Sequence, residues 1–264
     1  MPPTQMADGP ALPTVRRWVV DARAGRMIAA AAVLGVMFVV LAVLFKESGG
    51  TALDVAVTKA VQRIDSPAFS WLMWGISAPG YWPWSLVVLC TSSLALIMAR
   101  RYPEALFVVA TEGAGLLTAQ VKLIIERPRP TGDAIRVVSA ALDYSFPSGH
   151  VVGYVSLYGF LFFLAYVLLR RSWVRSLLLA GLGSPVALIG LSRVHLGHHW
   201  VSDVLGGYAL GTAYVLLLIV AYRLLVVRPN VEAATLAAGS PTDGGTESAL
   251  SASHTAPRAR FSSR

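Results

Sequence analysis

The hydrophobic pattern of the chain consists of long uncharged runs that are separated by short polar segments. Six of these runs approach the length of about 20 apolar residues that a helix needs to cross a bilayer. They cover residues 27–45, about 84–99, about 103–121, 151–169, about 176–192 and 204–222. Within a bilayer the backbone must satisfy its own hydrogen bonds, and an α-helix does so without a partner strand. The pattern therefore predicts an all-α fold, an integral membrane bundle of six transmembrane helices.

The uncharged stretch at residues 69–99 is long for one span and short for two. Pro79, Gly80 and Pro83 interrupt it, and its first half is rich in tryptophan, which favours the level of the lipid headgroups. We expect a half-buried interfacial segment followed by a span that begins near residue 84. A re-entrant pair is the alternative, and it would invert the topology of every later helix. A short amphipathic helix is expected at residues 53–64, before this stretch.

The two ends of the chain differ in composition from its apolar centre. Residues 1–26 are predicted to be a disordered cytoplasmic tail, residues 27–223 the six-span domain, and residues 224–264 a second disordered cytoplasmic tail. An Arg16-Arg17 pair is compatible with an export signal, but no small-residue cleavage site follows the first span. Lys and Arg are more frequent beside the proposed cytoplasmic span ends than in the opposite loops, which favours both termini inside.

Composition supports a membrane protein and excludes other classes. Hydrophobic residues make up 55% of the chain and charged residues only 14%, whereas soluble domains contain about 25% charged residues. The formal charge of +8 is scattered between apolar runs without an aromatic-interleaved basic patch, so no nucleic-acid partner is predicted. The single cysteine, Cys90, excludes an intrachain disulfide and a cysteine metal cluster. Glu112 falls within the third span, where we expect it to be protonated or paired and not part of the site.

The densest group of reactive side chains lies in the segment SRVHLGHHWVSD, residues 192–203. Histidine can attack phosphorus as a nucleophile, and its second ring nitrogen needs a partner that fixes the tautomer. If the end of this segment opens a helix, Asp203 shares a helix face with His199, whereas His198 does not. His199 is therefore the candidate nucleophile. A zinc site on His195 and His199 would need a third ligand, which the sequence does not identify.

Two further motifs precede this segment. PSGH, at residues 147–150, stands just before an apolar run, so that the amides of Ser148 and Gly149 would form an anion site at a helix N-terminus. KLIIERPRP contains Lys122 and Arg129, two cations that can hold phosphate oxygens. The patterns K-x6-RP, PSGH and SR-x5-H-x3-D, in this order, resemble those of the type 2 phosphatidic acid phosphatase (PAP2) superfamily. The resemblance covers residues 122–203.

The resemblance implies a role for each motif residue. His199 would attack phosphorus to form a phosphohistidine, with Asp203 orienting it, and His150 would protonate the leaving alkoxide and then activate water. The groups that would bind the phosphate belong to Lys122, Arg129, Ser148, Gly149 and Arg193. His195 and His198 fall at variable positions of the pattern and would form walls of the site or contact the headgroup. No metal and no other cofactor is implied, and the sequence lacks an obvious carboxylate cluster for Mg²⁺.

These observations predict an enzyme that hydrolyses a lipid phosphate or diphosphate, of the undecaprenyl diphosphate, phosphatidylglycerophosphate or phosphatidate type. Six spans would place all three motifs on one face of the membrane, and the basic flanks put that face outside the cytoplasm. We expect a multi-pass protein of the cytoplasmic membrane with its site toward the periplasm or exterior. Its expected partners are the lipid substrate and the bilayer, with no obligate protein partner evident. A phosphotransferase with the same site and a non-enzymatic anion or lipid transporter are the alternatives.

Overall fold

The computed structural model describes residues 14–139 and 143–229, and every regular element within these ranges is helical. This part of the chain contains nine α-helices: α1 Thr14–Leu44, α2 Ala52–Gln62, α3 Pro67–Ser77, α4 Trp84–Met98, α5 Tyr102–Ala110, α6 Gly113–Ile125, α7 Gly149–Leu168, α8 Trp173–His195 and α9 Val201–Tyr222. A 3₁₀ turn, Ala78–Gly80, follows α3, and a π-helical segment, Arg223–Val227, continues α9. The predicted all-α fold is confirmed.

Five stretches of the described chain are long and apolar enough to cross a membrane. They are α1 from Arg23, α5 together with α6, α7, α8, and α9 with its π-helical continuation. A sixth stretch consists of α3 and α4, which are bent by 59° at the break between them. This bent pair is the region for which the sequence left two interpretations, and its break coincides with the prolines that predicted an interruption.

The contacts of α3 favour the interfacial interpretation. The Ser192 hydroxyl donates to the Met73 carbonyl, and Ser70 Oγ lies 3.1 Å from His195 Nε2, so α3 packs against the last turn of α8. Such contacts place α3 at one end of the bundle, and α4 then leads away from that end. The exposed tryptophan side chains of this region are Trp71, Trp74, Trp82 and Trp84. Tryptophan prefers the headgroup level of a bilayer, which agrees with an interfacial position.

Helical structure extends beyond the apolar runs at both ends of the bundle. α1 begins at Thr14, so that residues 14–26, which we expected to be disordered, are helical. Helical structure also continues to residue 229, into the predicted C-terminal tail. Arginines at a membrane surface can continue a helix while their charged ends reach water, and a search for apolar runs does not register such turns. Residues 1–13 and 230–264 lie outside the described residues, and their disorder remains a prediction.

The third predicted span is interrupted in its interior, whereas the fifth is one continuous helix. The third span is divided into α5 and α6 by a break at Thr111 and Glu112, and the Thr111 hydroxyl donates to the Val108 carbonyl (2.6 Å). Glu112 is exposed at this break, and its expected protonation or pairing remains a prediction. By contrast, α8 continues through Pro185 without interruption.

Close packing between α7 and α9 fixes the end of the bundle where the motifs lie. A Cβ added to Gly207 would lie 2.9 Å from Cβ of Val151, and one added to Gly211 would lie 2.9 Å from Cβ of Val155. These separations are shorter than van der Waals contact, so the two helices approach as closely as small residues allow in membrane proteins. As a result, the N-termini of α7 and α9 lie side by side.

Candidate active site

The three motif segments meet at one end of the bundle, where α6 and α8 end and α7 and α9 begin. Direct hydrogen bonds join them: the Ser148 amide donates to the Asp203 carbonyl (3.1 Å), and Arg129 donates to the His198 carbonyl (2.6 Å). The predicted site residues are thus gathered in one place, although they come from segments far apart in the chain. Their individual catalytic roles remain predictions.

His199 lies in the short loop between α8 and α9, and not within α9 as the helix-face argument assumed. Its buried ring places Nε2 3.2 Å from an Arg129 NH1 and Nδ1 3.5 Å from Asp203 Oδ2. An Nε2 that accepts from Arg129 leaves the ring proton on Nδ1, on the side of the carboxylate. The resulting tautomer directs the Nε2 lone pair toward the cations of the site. Asp203 is therefore the neighbour of His199 as expected, but it reaches the ring from the first turn of α9.

The loop that carries His199 depends on Gly197. This residue has a φ of +70°, and a Cβ at its position would lie 2.0 Å from the Arg136 carbonyl oxygen. Only glycine combines a left-handed backbone with so close an approach. Gly197 therefore seats the histidine loop against the preceding polar loop.

Asp203 is buried and is held by three donors. Its Oδ2 accepts from the backbone amide of Trp200 (2.8 Å) and from the Ser145 hydroxyl, and its Oδ1 accepts from Arg127 (2.6 Å). The bond to Trp200 caps the first turn of α9, where an acidic side chain is favourable. Asp203 is therefore fixed in place before any substrate arrives.

Arg127 is a part of this site that the sequence analysis missed. It is fully buried and also donates to Asp54 Oδ2 (3.0 Å) and to the Ser202 hydroxyl (2.7 Å). Ser202 in turn donates through its amide to Asp54 Oδ1 (2.9 Å), which ties α2 to the start of α9. The repeated Arg-Pro of the RPRP sequence was the available signal, since Arg127 precedes a proline as Arg129 does.

The carboxylate of Asp54 belongs to the same buried network. Burial alone would raise the pKa of Asp54, but hydrogen bonds from Ser202 and Thr51 and the charge of Arg127 outweigh burial and hold the pKa below its ordinary value. Asp54 also completes a capping box with Thr51 at the N-terminus of α2. The network thus contains two carboxylates, those of Asp54 and Asp203, with the guanidinium of Arg127 between them.

His150 lies in the first turn of α7 and faces the turn between α3 and α4. Its Nε2 is buried without a hydrogen-bond partner among the described residues. The His150 ring meets the ring of Tyr81 edge-on, with 4.5 Å between centroids, and a Cβ on Gly80 would lie 2.5 Å from His150 Cδ2. The composition of this Trp- and Tyr-rich turn predicts only a position at the headgroup level, and it does not indicate the contact between the turn and His150.

Arg193 approaches the site from the last turn of α8. One of its NH1 hydrogens is donated to the Tyr81 hydroxyl (2.7 Å), and NH1 also lies 3.3 Å from Ser77 Oγ. Its Nε is buried without a partner in the described part of the chain, as is the hydroxyl of Ser148. The Ser148 amide, which we had expected to bind phosphate, is already bonded to the Asp203 carbonyl. A contribution of Ser148 to anion binding therefore comes from its hydroxyl.

Lys122 and Arg129 share one carboxylate, that of Asp143. Asp143 Oδ2 accepts from the Lys122 ammonium (2.5 Å), and Asp143 Oδ1 accepts from an Arg129 NH2 (2.6 Å). Both cations are largely buried, with 11% and 14% of their side chains exposed, whereas 57% of the Asp143 side chain is exposed. The two cations are therefore paired with a carboxylate that solvent can reach.

The side chains around His198 and His199 make their surroundings electropositive. Burial, followed by the charges of Arg129 and Arg193, holds the pKa of His199 well below its ordinary value. Burial and the same two arginines lower the pKa of His198 to about 4. Both rings are therefore neutral at pH 7, and a neutral imidazole is the form that has a lone pair for nucleophilic attack.

The two remaining histidines of the loop region differ in position. His198 borders the site, with Nε2 2.8 Å from Ser139 Oγ and Nδ1 3.4 Å from the Tyr81 hydroxyl. The ring of His195 instead meets the Phe69 ring edge-on, with 4.8 Å between centroids, on the side of α3. Wall contact is thus a fitting description for His198, whereas His195 supports α3.

A neutral buried histidine, a fixed carboxylate and three cations thus lie at one end of a bundle of apolar helices, and such a set of groups suits a phosphate substrate in a membrane. Comparison with known proteins gives the family. Residues 103–226 match the PAP2 superfamily. The chain is 31% identical over 180 residues to phosphatidylglycerophosphatase B of Bacillus subtilis, covering 67% of this chain and 87% of that protein.

Two further relatives agree. The chain is 32% identical over 167 residues to decaprenylphosphoryl-5-phosphoribose phosphatase of Mycobacterium tuberculosis, covering 60% of this chain and 84% of that protein. The crystal structure of a transmembrane PAP2-type phosphatidylglycerolphosphate phosphatase from Bacillus subtilis superposes with a TM-score of 0.65 at 28% identity, covering 74% of this chain and 96% of that one. The chain belongs to the PAP2 superfamily, and it is a multi-pass membrane lipid phosphatase.

Proposed function

We propose that the protein hydrolyses a lipid phosphate or diphosphate through a phosphohistidine on His199, without a metal ion. The observation that carries the proposal is that three motif residues have polar atoms that are buried without partners in the described chain: the Ser148 hydroxyl, His150 Nε2 and Arg193 Nε. Buried polar groups are normally hydrogen-bonded, so a cluster of exceptions indicates a ligand site. The cations that face it suit a phosphate group.

In the first step, the Nε2 lone pair of His199 attacks phosphorus, and the bond from phosphorus to the ester oxygen breaks with its electron pair passing to that oxygen. His150, protonated when substrate is bound, gives its proton to the leaving oxygen, which departs as a lipid alcohol or lipid phosphate. The positive charge that develops on the His199 ring is stabilised by Asp203, 3.5 Å from Nδ1. Lys122, Arg129 and Arg193 stabilise the equatorial oxygens.

In the second step, water attacks the phosphohistidine. His150, now neutral, takes a proton from the water, and the phosphorus–nitrogen bond breaks with its electron pair returning to His199 Nε2. Inorganic phosphate leaves, and the original tautomer of His199 is restored because its Nδ1 proton stays beside Asp203 throughout. His150 therefore acts as general acid in the first step and as general base in the second, while His199 is first the nucleophile and then the leaving group.

The lipid class is proposed from the relatives. One acts on a phosphatidylglycerophosphate and another on a decaprenyl-linked phosphoribose, by their names. We therefore propose substrates of the phosphatidylglycerophosphate, phosphatidate or undecaprenyl diphosphate type. Purified protein in lipid vesicles, supplied with each lipid and with water as the sole acceptor, should release inorganic phosphate. Transfer of the phosphoryl group to an added alcohol, without release of inorganic phosphate in water alone, would indicate a phosphotransferase. Lipid movement without release would indicate a transporter.

Activity is expected to persist in excess EDTA and to be inhibited competitively by orthovanadate. Positive charge comes from Lys122, Arg129 and Arg193, so that no metal is needed for phosphate binding, and vanadate adopts the five-coordinate geometry of in-line transfer. The measurement is phosphate release at increasing EDTA and vanadate concentrations. Loss of activity on chelation, restored by Mg²⁺, would contradict the proposed mechanism.

We also propose that the active site faces the periplasm or exterior. The support is the bias of Lys and Arg toward cytoplasmic loops, since Arg170 and Arg171 lie at the end of the bundle opposite to the site. In a Cys90→Ala background, single cysteines at the exposed positions Thr131 and Ser172 should react differently in intact cells. An impermeant maleimide should modify position 131 and spare position 172. The reverse pattern would place the site in the cytoplasm.

A further inference from the structure

Asp143 is the one carboxylate that contacts Lys122 and Arg129 in the described residues, and it binds both at once. One of its oxygens lies 2.5 Å from the Lys122 ammonium, the other 2.6 Å from Arg129 NH2, and its backbone carbonyl accepts from Arg129 Nε (2.9 Å). A carboxylate that spans two cations in this way resembles two oxygens of a phosphate group in charge and in hydrogen bonding.

The donors of Arg129 are almost fully used by the protein itself. Four of its five N–H groups are directed to Asp143, to the His198 carbonyl and to His199 Nε2. Two of the three Lys122 donors are used as well, by Asp143 and the Tyr144 carbonyl. A phosphate group can therefore bind these cations only if some of the bonds are exchanged, and the bonds to the half-exposed Asp143 side chain are the ones that water can replace.

Arg193 provides the contrast within the same site. The groups that its NH1 meets are neutral hydroxyls, those of Tyr81 and Ser77, and its Nε has no partner in the described chain. Arg193 therefore has no carboxylate partner that an anion would have to displace, whereas Lys122 and Arg129 are both bound to Asp143. Two of the three phosphate-binding cations are thus neutralised in part before substrate arrives.

We propose that Asp143 is an internal competitor for the phosphate subsite: its carboxylate occupies the positions on Lys122 and Arg129 that two phosphate oxygens take, and it sets the affinity of the site for phosphate. The inference rests on the proposed function, because it assumes that these cations bind the substrate phosphate. Substrate displaces the carboxylate on binding, and the carboxylate replaces inorganic phosphate after hydrolysis. Asp143 thereby weakens the binding of product as well as substrate.

The negative charge of Asp143 does not depend on pH near neutrality. Burial would raise the pKa of Asp143, but the hydrogen bond from Lys122 and the charges of Lys122 and Arg129 lower it to about 2. The carboxylate is therefore ionised at neutral pH. Its exchange with phosphate is controlled by the charge of the ligand and not by protonation.

The test compares Asp143→Asn and Asp143→Ala with Asp133→Asn, a matched loss of one exposed carboxylate from the same polar loop. Binding of inorganic phosphate and of orthovanadate is measured by the rise in melting temperature of the detergent-solubilised protein, which depends on ligand concentration and dissociation constant but not on turnover. Both Asp143 variants should bind the two anions about two- to fivefold more tightly than wild type, the range for loss of partly exposed ion pairs. Asp133→Asn should bind them as wild type does.

Kinetics of lipid hydrolysis give a second measurement. The Asp143 variants should show a lower KM and stronger inhibition by inorganic phosphate. If the variants bind phosphate more weakly than wild type, Asp143 orients the two cations and does not compete, and the inference is wrong while the proposed function stands. Unchanged affinity in both variants also contradicts it. If neither wild type nor any variant binds phosphate or vanadate, or releases phosphate from a lipid, the phosphate site itself is absent and both proposals fail.

Discussion

Replacing His199 with alanine is expected to abolish hydrolysis of every lipid phosphate, with a loss of at least about 10⁴-fold, the scale on which enzymes lose a covalent nucleophile. The reason is that no other described side chain offers a neutral imidazole nitrogen beside both the cations and Asp203. The measurement is phosphate release by purified protein in vesicles. Retention of the wild-type melting temperature shows that the variant is folded.

The matched control is His198→Ala, in the neighbouring position of the same loop. The His198 ring contacts Ser139 and Tyr81, and its loss should lower activity far less than the loss of His199. His150→Ala should be severely impaired with lipid substrates, yet form phosphohistidine when the leaving group needs no proton. A folded His199→Ala protein with normal hydrolysis would overturn the assignment of the nucleophile.

The second large effect concerns stability. Arg127→Met should destabilise the protein by about 3–5 kcal/mol, because removing one partner of a buried ion pair leaves an uncompensated charge. Asp54 and Asp203 would both lose their guanidinium, and the link between α2 and α9 would be weakened. We expect a lower melting temperature in detergent. At temperatures where the variant is folded, we expect reduced hydrolysis, because Asp203 loses one of its three donors.

A surface arginine from the same polar loop provides the comparison. Arg136 pairs with Asp65, but their side chains are 42% and 82% exposed, so Arg136→Met should cost less than about 1 kcal/mol. The double variant Arg127→Met/Asp54→Asn should be more stable than the sum of the two single changes implies, because it removes one of the unpaired charges. Additive losses, or an Arg127→Met protein as stable as the Arg136→Met protein, would show that the network is not coupled as its geometry indicates.

The fold could be predicted because a bilayer imposes strong constraints on composition. The apolar runs at 151–169 and 204–222 mark α7 and α9 to within a few residues, since few other structures tolerate such runs. The helix boundaries were less accurate where arginines continue a helix beyond the apolar region, as in α1. The break in α5–α6 at Thr111 was not predicted, although Thr111, Glu112 and Gly113 interrupt the apolar run there.

The site was predictable where its residues lie in one short motif. The spacing of His199 and Asp203 indicated a pair, although the loop conformation that brings them together was not foreseen. Arg127 and Asp54 are separated by 73 positions, and no local pattern links them. Tyr81 stands among tryptophans whose composition predicts a position at the headgroup level, so that its contact with the site was not indicated. The engagement of the Ser148 amide by Asp203 depends on helix packing, which spacing along the chain does not encode.

The exposed tryptophans of α3 and of the turn before α4 lie at the same end of the bundle as His150, which that turn touches directly. If these indole rings lie among lipid headgroups, they hold the active site at the depth of the headgroups. The site is then within reach of lipids that diffuse in the plane of the membrane. The quantity that governs encounter is then the number of substrate lipids per unit of membrane area, and not their amount per litre. Inorganic phosphate diffuses away into water while the lipid product stays in the membrane. The two products are therefore separated after each turnover, and the reverse reaction is disfavoured.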